Sequence, residues 1–182
     1  MIPITSSQSY IWALAVWTAG VAGCASAAVR EDPPSPVHRT PPTPRQERDE
    51  LDLASLRAQV VESHNRIRAA AKLPALETSE RLQAAALAHA RDMATWRKMT
   101  HQGSRGSRPI DRIKAQGYPY RRAGENIATG YDSVDQLMKG WMNSPRHKRN
   151  ILGGFSQIGV GCAIDEDGKR YWCVTFGLPL RR

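Results

Sequence analysis

The stretch that decides the fold is Gly124-Glu125-Asn126-Ile127-Ala128-Thr129, followed at a short distance by Trp141-Met142-Asn143-Ser144-Pro145-Arg146-His147-Lys148-Arg149-Asn150. Residues 124–129 read as a short strand or extended segment carrying one carboxylate, Glu125. Ser133 with Gln136 three residues on forms a capping-box pattern and starts a helix. Val134, Leu137, Met138, Trp141 and Met142 then fall at i, i+3, i+4, i+7 and i+8, one apolar stripe on that helix. Ser144 as N-cap and Pro145 at the first helical position start another turn, which holds His147. A second histidine, His101, lies upstream in Met99-Thr100-His101-Gln102-Gly103. The rest of the chain reads as the scaffold that brings these three polar residues together.

Downstream, residues 158–164 and 170–176 are two apolar, β-rich runs, and Asp165-Glu166-Asp167-Gly168 between them is a turn signal. Folding the hairpin about that turn sets Cys162 opposite Cys173. A cross-strand disulfide is the expectation in an oxidising compartment, with two buried free thiols as the alternative. Neither cysteine has a C-x-x-C partner, which argues against a two-cysteine zinc site.

Upstream, Leu53, Leu56, Val60, His64 and Ile67 recur at helical spacing and predict a helix over residues 51–72, ended by Pro74. A second helix starts after Thr78, has Glu80 in its first turn, and runs to about Lys98. Leu82, Ala86, His89 and Met93 share one stripe of it. His64 and His89 therefore read as packing histidines. Residues 102–108 form a Gly- and Ser-rich loop. Pro109 opens a short helix over residues 110–116 that Gly117 closes, and residues 118–122 read as a loop. The last six residues read as a tail.

The first part of the chain reads as targeting rather than fold. Residues 11–23 are apolar but short for a membrane span. Ala25-Ser26-Ala27 suits ordinary signal cleavage, whereas Val21-Ala22-Gly23-Cys24 resembles a bacterial lipobox, in which Cys24 would be lipidated. No Lys or Arg precedes the apolar run, a departure from both patterns. Residues 1–28 are thus expected to be a signal peptide or lipoprotein signal, and an uncleaved anchor is the remaining alternative. Residues 29–48 read as a linker in which Pro33, Pro34, Pro36, Pro41, Pro42 and Pro44 disfavour helix. Residues 49–180 are the folded domain. The chain has 182 residues and a net charge of +9, and residues 1–29 contribute none of the charge. That balance suits an anionic envelope component or lipid; ordinary solubility charge is the plainer reading. The basic run at residues 146–149 has no interleaved aromatics, so nucleic acid is a poor fit.

Several segments occur together in a fixed order. They are Ser63-His64-Asn65-x-x-Arg68, Leu73-Pro74-Ala75-Leu76, Thr100-His101, Asp111-Arg112-Ile113, Gly117-Tyr118, Gly124-Glu125-Asn126-Ile127-Ala128, Trp141-Met142-x-Ser144-Pro145-x-His147-x-x-Asn150-Ile151-Leu152, Ile158-Gly159-Val160-Gly161 and Tyr171-Trp172-x-Val174-x-Phe176-Gly177. Together the set resembles the CAP domain, also called the SCP or pathogenesis-related-1 domain, of the bacterial exported type. The resemblance implies an α+β fold, a three-layer α-β-α sandwich with a small antiparallel sheet, and an exported protein that is periplasmic, envelope-anchored or secreted. It also implies a cavity to which His101, Glu125 and His147 carry over by motif. Many eukaryotic members place a second glutamate just after the matching tryptophan. Here Met142, Asn143 and Ser144 fill that place, so the implied set has one carboxylate.

Two imidazoles and a carboxylate are suitable zinc ligands, and a zinc-bound water could be a nucleophile. Zinc held by His101, Glu125 and His147 is therefore one expectation. A metal-free cavity, shaped by a Glu125–histidine pair, is the other. Ser144 reads as a helix cap rather than a nucleophile, because no nucleophile-elbow pattern surrounds it. Three function classes follow. The leading one is an envelope-associated domain that binds a metal ion, small molecule or lipid. The others are a metal-assisted hydrolase of peptide or envelope polymer, and a non-catalytic protein-interaction module. A monomer is expected.

Overall fold

A computed structural model describes residues 43–180. The signal segment, Cys24 and most of the proline-rich linker lie outside the described residues. Helix α1 (Pro44–Ala70) precedes strand β1 (Glu77–Thr78), helix α2 (Glu80–Trp96) and helix α3 (Pro109–Ala115). Strand β2 (Tyr120–Thr129), helix α4 (Val134–Asn143), helix α5 (Pro145–Ile151), strand β3 (Gln157–Ile164) and strand β4 (Arg170–Pro179) follow. The strands form one sheet in the order β1-β3-β4-β2. The pairings β2–β4 and β3–β4 are antiparallel, and β1 adds a two-residue parallel pairing to β3.

The sheet is clad on both faces, as the α+β sandwich expectation requires. Side chains alternate across it. Val160, Cys162, Trp172, Val174 and Phe176 face α1 and α4, where Val60, Leu137 and Trp141 meet them. Ile127, Ala163, Tyr171 and Cys173 face Ala86, Ala90 and Met93 of α2. This second contact is very close. A Cβ at Gly159 would lie 2.1 Å from the Leu82 carbonyl carbon, and one at Gly161 would lie 2.4 Å from that of Ala86. Only hydrogen at these two positions lets α2 lie on β3.

Several boundaries differ from those the sequence predicts. Helix α1 begins at Pro44, inside the stretch read as linker, because proline at a first helical position loses no needed N–H. It also ends earlier, at Ala70. Lys72 adopts a left-handed φ of 58°, with Lys72 N–H donating to Ala69 and Leu73 N–H to Arg68. This Schellman closure is normally made by glycine. Arg97, with φ 54°, closes α2 in the same way, so that helix stops at Trp96 rather than Lys98. Strand β2 starts at Tyr120, within the predicted loop, and β4 continues through Pro179 into the predicted tail.

The disulfide expectation is overturned. Cys162 and Cys173 are both free and buried. The turn falls where expected, but its register does not. Asp165 N–H donates to Lys169, Gly168 N–H donates to Asp165, and Gly168 sits at φ +79°. This is a three-residue loop with a bulge glycine. It pairs Cys162 with Trp172 and Cys173 with Gly161. The one-residue difference puts the two thiols on opposite faces of the sheet.

Two buried polar residues fix the layer that carries α5. The Arg68 guanidinium, 2% exposed, donates to the carbonyls of Pro74, Ile151, Gly153 and Phe155 at 2.8 to 3.2 Å. Asn65 bonds both the N–H and the carbonyl of Leu76. The loop leaving α5 is thereby tied to the end of α1.

Candidate functional site

Glu125 lies on β2, on the face turned toward α2. Its side chain is 4% exposed, and both carboxylate oxygens are engaged. His101 Nδ1 lies 2.8 Å from Oε1, and Arg112 Nη2 of α3 donates to Oε2 at 2.7 Å. The same guanidinium donates to the carbonyls of His101 and Ser107 at 3.0 and 2.9 Å. Arg112 thus ties the loop that bears His101 to the carboxylate that orients its ring. His89 Nε2 lies 4.0 Å from Oε1 and bonds the Thr100 carbonyl at 2.8 Å. The Cys173 thiol is 3.5 Å from Oε2.

Burial by itself pushes the Glu125 carboxyl up. The His101 hydrogen bond and the charge and hydrogen bond of Arg112 outweigh it, and the group is held below the ordinary value. Glu125 is therefore a carboxylate at neutral pH and acts only as acceptor. In the neutral ring, His101 must then carry its proton on Nδ1, leaving Nε2 bare. The His101 side chain is 55% exposed, so the bare nitrogen is available to a visitor while the carboxylate is not.

His147 is positioned independently. Helix α5 is pinned to β2 by Asn150 Nδ2, which donates to the Glu125 carbonyl at 3.1 Å and to Asn126 Oδ1 at 2.8 Å. Asn126 in turn donates to the His147 carbonyl at 3.1 Å. Ser144 sits at the N-cap position with Pro145 after it, but its side chain makes no capping bond. The His147 ring packs at a tilt on Trp141, with centroids 6.3 Å apart. Burial lowers its pKa, and the charge of His101 lowers it further.

The structure thus brings His101 and Glu125 into contact and adds Arg112. His147 stands around the β2 edge, within electrostatic reach of His101. No ion pair or ring hydrogen bond joins it to either residue among those described. It lines a groove of about 290 Å³ with Met99, Ile127, Thr129, Tyr131, Trp141 and Ser144. Among the described residues, no three His, Cys, Asp or Glu side chains are grouped to hold a metal ion. The trio expected for zinc does not fit as it stands. Both Glu125 oxygens already accept hydrogen bonds, and a guanidinium occupies the place a cation would take.

His64 is fully buried as expected, bonded through Nδ1 to the Val60 carbonyl at 2.7 Å. It packs on Trp141 and Phe176. His89 is equally buried, but it stands beside Glu125 and so borders the site. Arg112 is the site residue that sequence reasoning missed. Its one signal was its place in the ordered segment Asp111-Arg112-Ile113.

The sequence pattern described as "Cysteine-rich secretory protein family", CAP, matches residues 61–176. The chain belongs to the CAP family. Among solved structures, it is similar to an extracellular protein containing an SCP domain from Bacillus anthracis, with 26% identity and a TM-score of 0.65 over 76% of this chain and 45% of that one. An outer surface protein of Borrelia burgdorferi shares the fold, with a TM-score of 0.64 at 23% identity, covering 68% of this chain and 92% of that one. The uncharacterized protein YkwD of Bacillus subtilis is 39% identical over 104 residues, 57% of this chain and 40% of its own length. The uncharacterized membrane protein YlbC of the same organism is 28% identical over 119 residues, 65% of this chain and 33% of its own length. The CAP chain described here therefore spans well under half of either relative. No helix among its described residues is long and apolar enough to cross a membrane.

Proposed function

We propose that this CAP protein is exported and held at the cell envelope. There its His101–Glu125–Arg112 cluster and the neighbouring His147 groove bind a ligand rather than turn it over. One observation carries the reading. The only carboxylate of the set is consumed in holding His101, which leaves two imidazoles facing a visitor and no free acid among them. Extracellular and outer-surface relatives of the same fold support the envelope placement, as does the apolar, then proline-rich, beginning of the chain. A net charge of +9 suits anionic surroundings.

A hydrolytic reading rests on a different feature of the same residues. A carboxylate bonded to Nδ1 leaves Nε2 bare, the arrangement a general base uses. It would need a nucleophile or an activated water near Nε2.

The test follows imidazole resonances as lipid and polymer fractions of a bacterial envelope are added. A ligand for this site moves His101 and His147 together and leaves His64 and His89 unmoved. Equal response of all four rings, or of none to any fraction, contradicts the proposal.

A further inference from the structure

Strand β2 is an edge strand, and its open side borders the His147 groove. Gly130 N–H donates to Arg170 of β4. Because pairing alternates along an antiparallel ladder, Ala128 and Asn126 also face β4, and Glu125, Ile127 and Thr129 direct their main-chain groups outward. Two of those outward groups are already capped from within the chain. Asn150 Nδ2 donates to the Glu125 carbonyl at 3.1 Å and Trp141 Nε1 to the Ile127 carbonyl at 3.3 Å. The N–H groups of Ile127 and Thr129 have no partner among the described residues. An exposed strand edge is usually blunted or covered. Here both residues line the groove, beside Trp141, Tyr131 and Met99, with His147 among the lining residues.

The geometry points to an extended peptide as the occupant, docking along the β2 edge with its carbonyls on the N–H groups of Ile127 and Thr129. This deepens the binding reading above and rests on it. Donors two residues apart on a strand lie about 7 Å apart. An extended peptide presents alternate carbonyls on one side at that same spacing, which is how strand addition forms its main-chain bonds. Its side chains alternate too, so one in two would enter the groove between Tyr131, Trp141 and Met99. The carbonyls capped by Asn150 and Trp141 limit the bonded length to the stretch from Ile127 to Thr129. Main-chain bonding therefore carries only a short core of the peptide, and residues beside it reach His147.

The experiment uses the isotope-labelled full chain and pools of random hexapeptides, acetylated and amidated to remove terminal charge. A binding pool is expected to move the Ile127 and Thr129 amide protons downfield and slow their exchange. Thr129→Pro deletes one donor on an edge where proline is tolerated, and it should weaken the best peptide about tenfold. Thr129→Val keeps the N–H and should stay within about twofold. Should the proline variant fail to fold, peptide esters serve instead. They present weaker acceptor carbonyls and should lose affinity only at positions facing Ile127 and Thr129.

Peptides that bind without moving either amide, equal affinity for the two Thr129 variants, or no active pool would each overturn the peptide. Protection that grows with protein concentration in the absence of peptide would assign the edge to a second copy, and would overturn it as well. If these fail while an envelope fraction moves His101 and His147, only the peptide falls. If neither imidazole responds to anything, the binding reading falls with it.

Discussion

Replacing Arg112 by methionine removes a buried charge while keeping most of the side-chain stem, and the loss can be sized from its contacts. The Arg112 side chain is 10% exposed and that of Glu125 is 4%. Deleting one partner of a buried pair costs about 3 to 5 kcal/mol, because the other charge stays behind. His101 still bonds Glu125, which reduces that penalty, whereas the bonds to His101 and Ser107 carbonyls are lost at about 1 kcal/mol each. The expected destabilisation is about 3 kcal/mol, or roughly 10 °C in Tm for a domain of this size.

The sign of the pH dependence should also reverse. In the native protein, the Glu125 carboxyl is held below its ordinary value of 4.5. Its contribution is complete above that pH and is lost as pH falls through the folded value. Without Arg112, burial dominates and raises the carboxyl instead. Ionisation then favours the unfolded chain, and stability from this group declines as pH rises above about 4.5. Urea denaturation of both proteins between pH 4 and 7 reads the two slopes. Adding Glu125→Gln to Arg112→Met should recover part of the loss, since no buried charge remains. A destabilisation below about 1 kcal/mol, with the native slope unchanged, would refute the claim that this pair is buried and coupled.

Three further outcomes follow from the packing. Gly161→Ala drives a methyl into the Ala86 backbone and should cost about 3 kcal/mol in urea denaturation; Gly168→Ala has open space around it and should cost only about 1, from its left-handed backbone. Burial pushes the His64 imidazole down to about 4 from 6.5. The stability it contributes is full above pH 6.5 and is lost as pH falls toward 4, about 3 kcal/mol in all, and His64→Leu should flatten that part of the profile; a native His64 resonance titrating near 6.5 would contradict this. Mass mapping of oxidised, secreted protein should find Cys162 and Cys173 as two free thiols, inert to a thiol reagent until unfolding because burial raises both; a recovered Cys162–Cys173 crosslink would contradict the register.

Helical layers and the final hairpin were legible because their signals are local. The stripe from Val134 to Met142, the cap at Ser133 and the turn at Asp165–Gly168 each depend on a few neighbouring residues. The disulfide misreading also came from that turn. A single bulge residue, invisible to periodicity, slides the pairing by one position and sends Cys173 to the other face. Lys72 and Arg97 gave no stop signal, since helix closure in the left-handed region is read from glycine. Strand β1 is two residues long, too short for any period.

At the site, His101 and Glu125 could be named from the ordered motifs, and their contact is present. Arg112 could not be assigned a role. A basic residue on a seven-residue helix reads as solvated surface, and only the fold reveals that its charge meets a carboxylate thirteen residues later in the chain. His89 showed the apolar spacing of a packing residue and does pack, yet it also borders Glu125. The outward N–H groups of Ile127 and Thr129 depend on strand order, which the sequence does not display.

Ring-nitrogen shifts of His101 at neutral pH test the orienting role of Glu125 most directly. A protonated Nδ1 and a bare Nε2 are expected in the native protein, with the preference lost in Glu125→Gln. A native ring protonated at Nε2 and bare at Nδ1 would mean that the carboxylate does not hold it, and the site would have to be rebuilt without that pair.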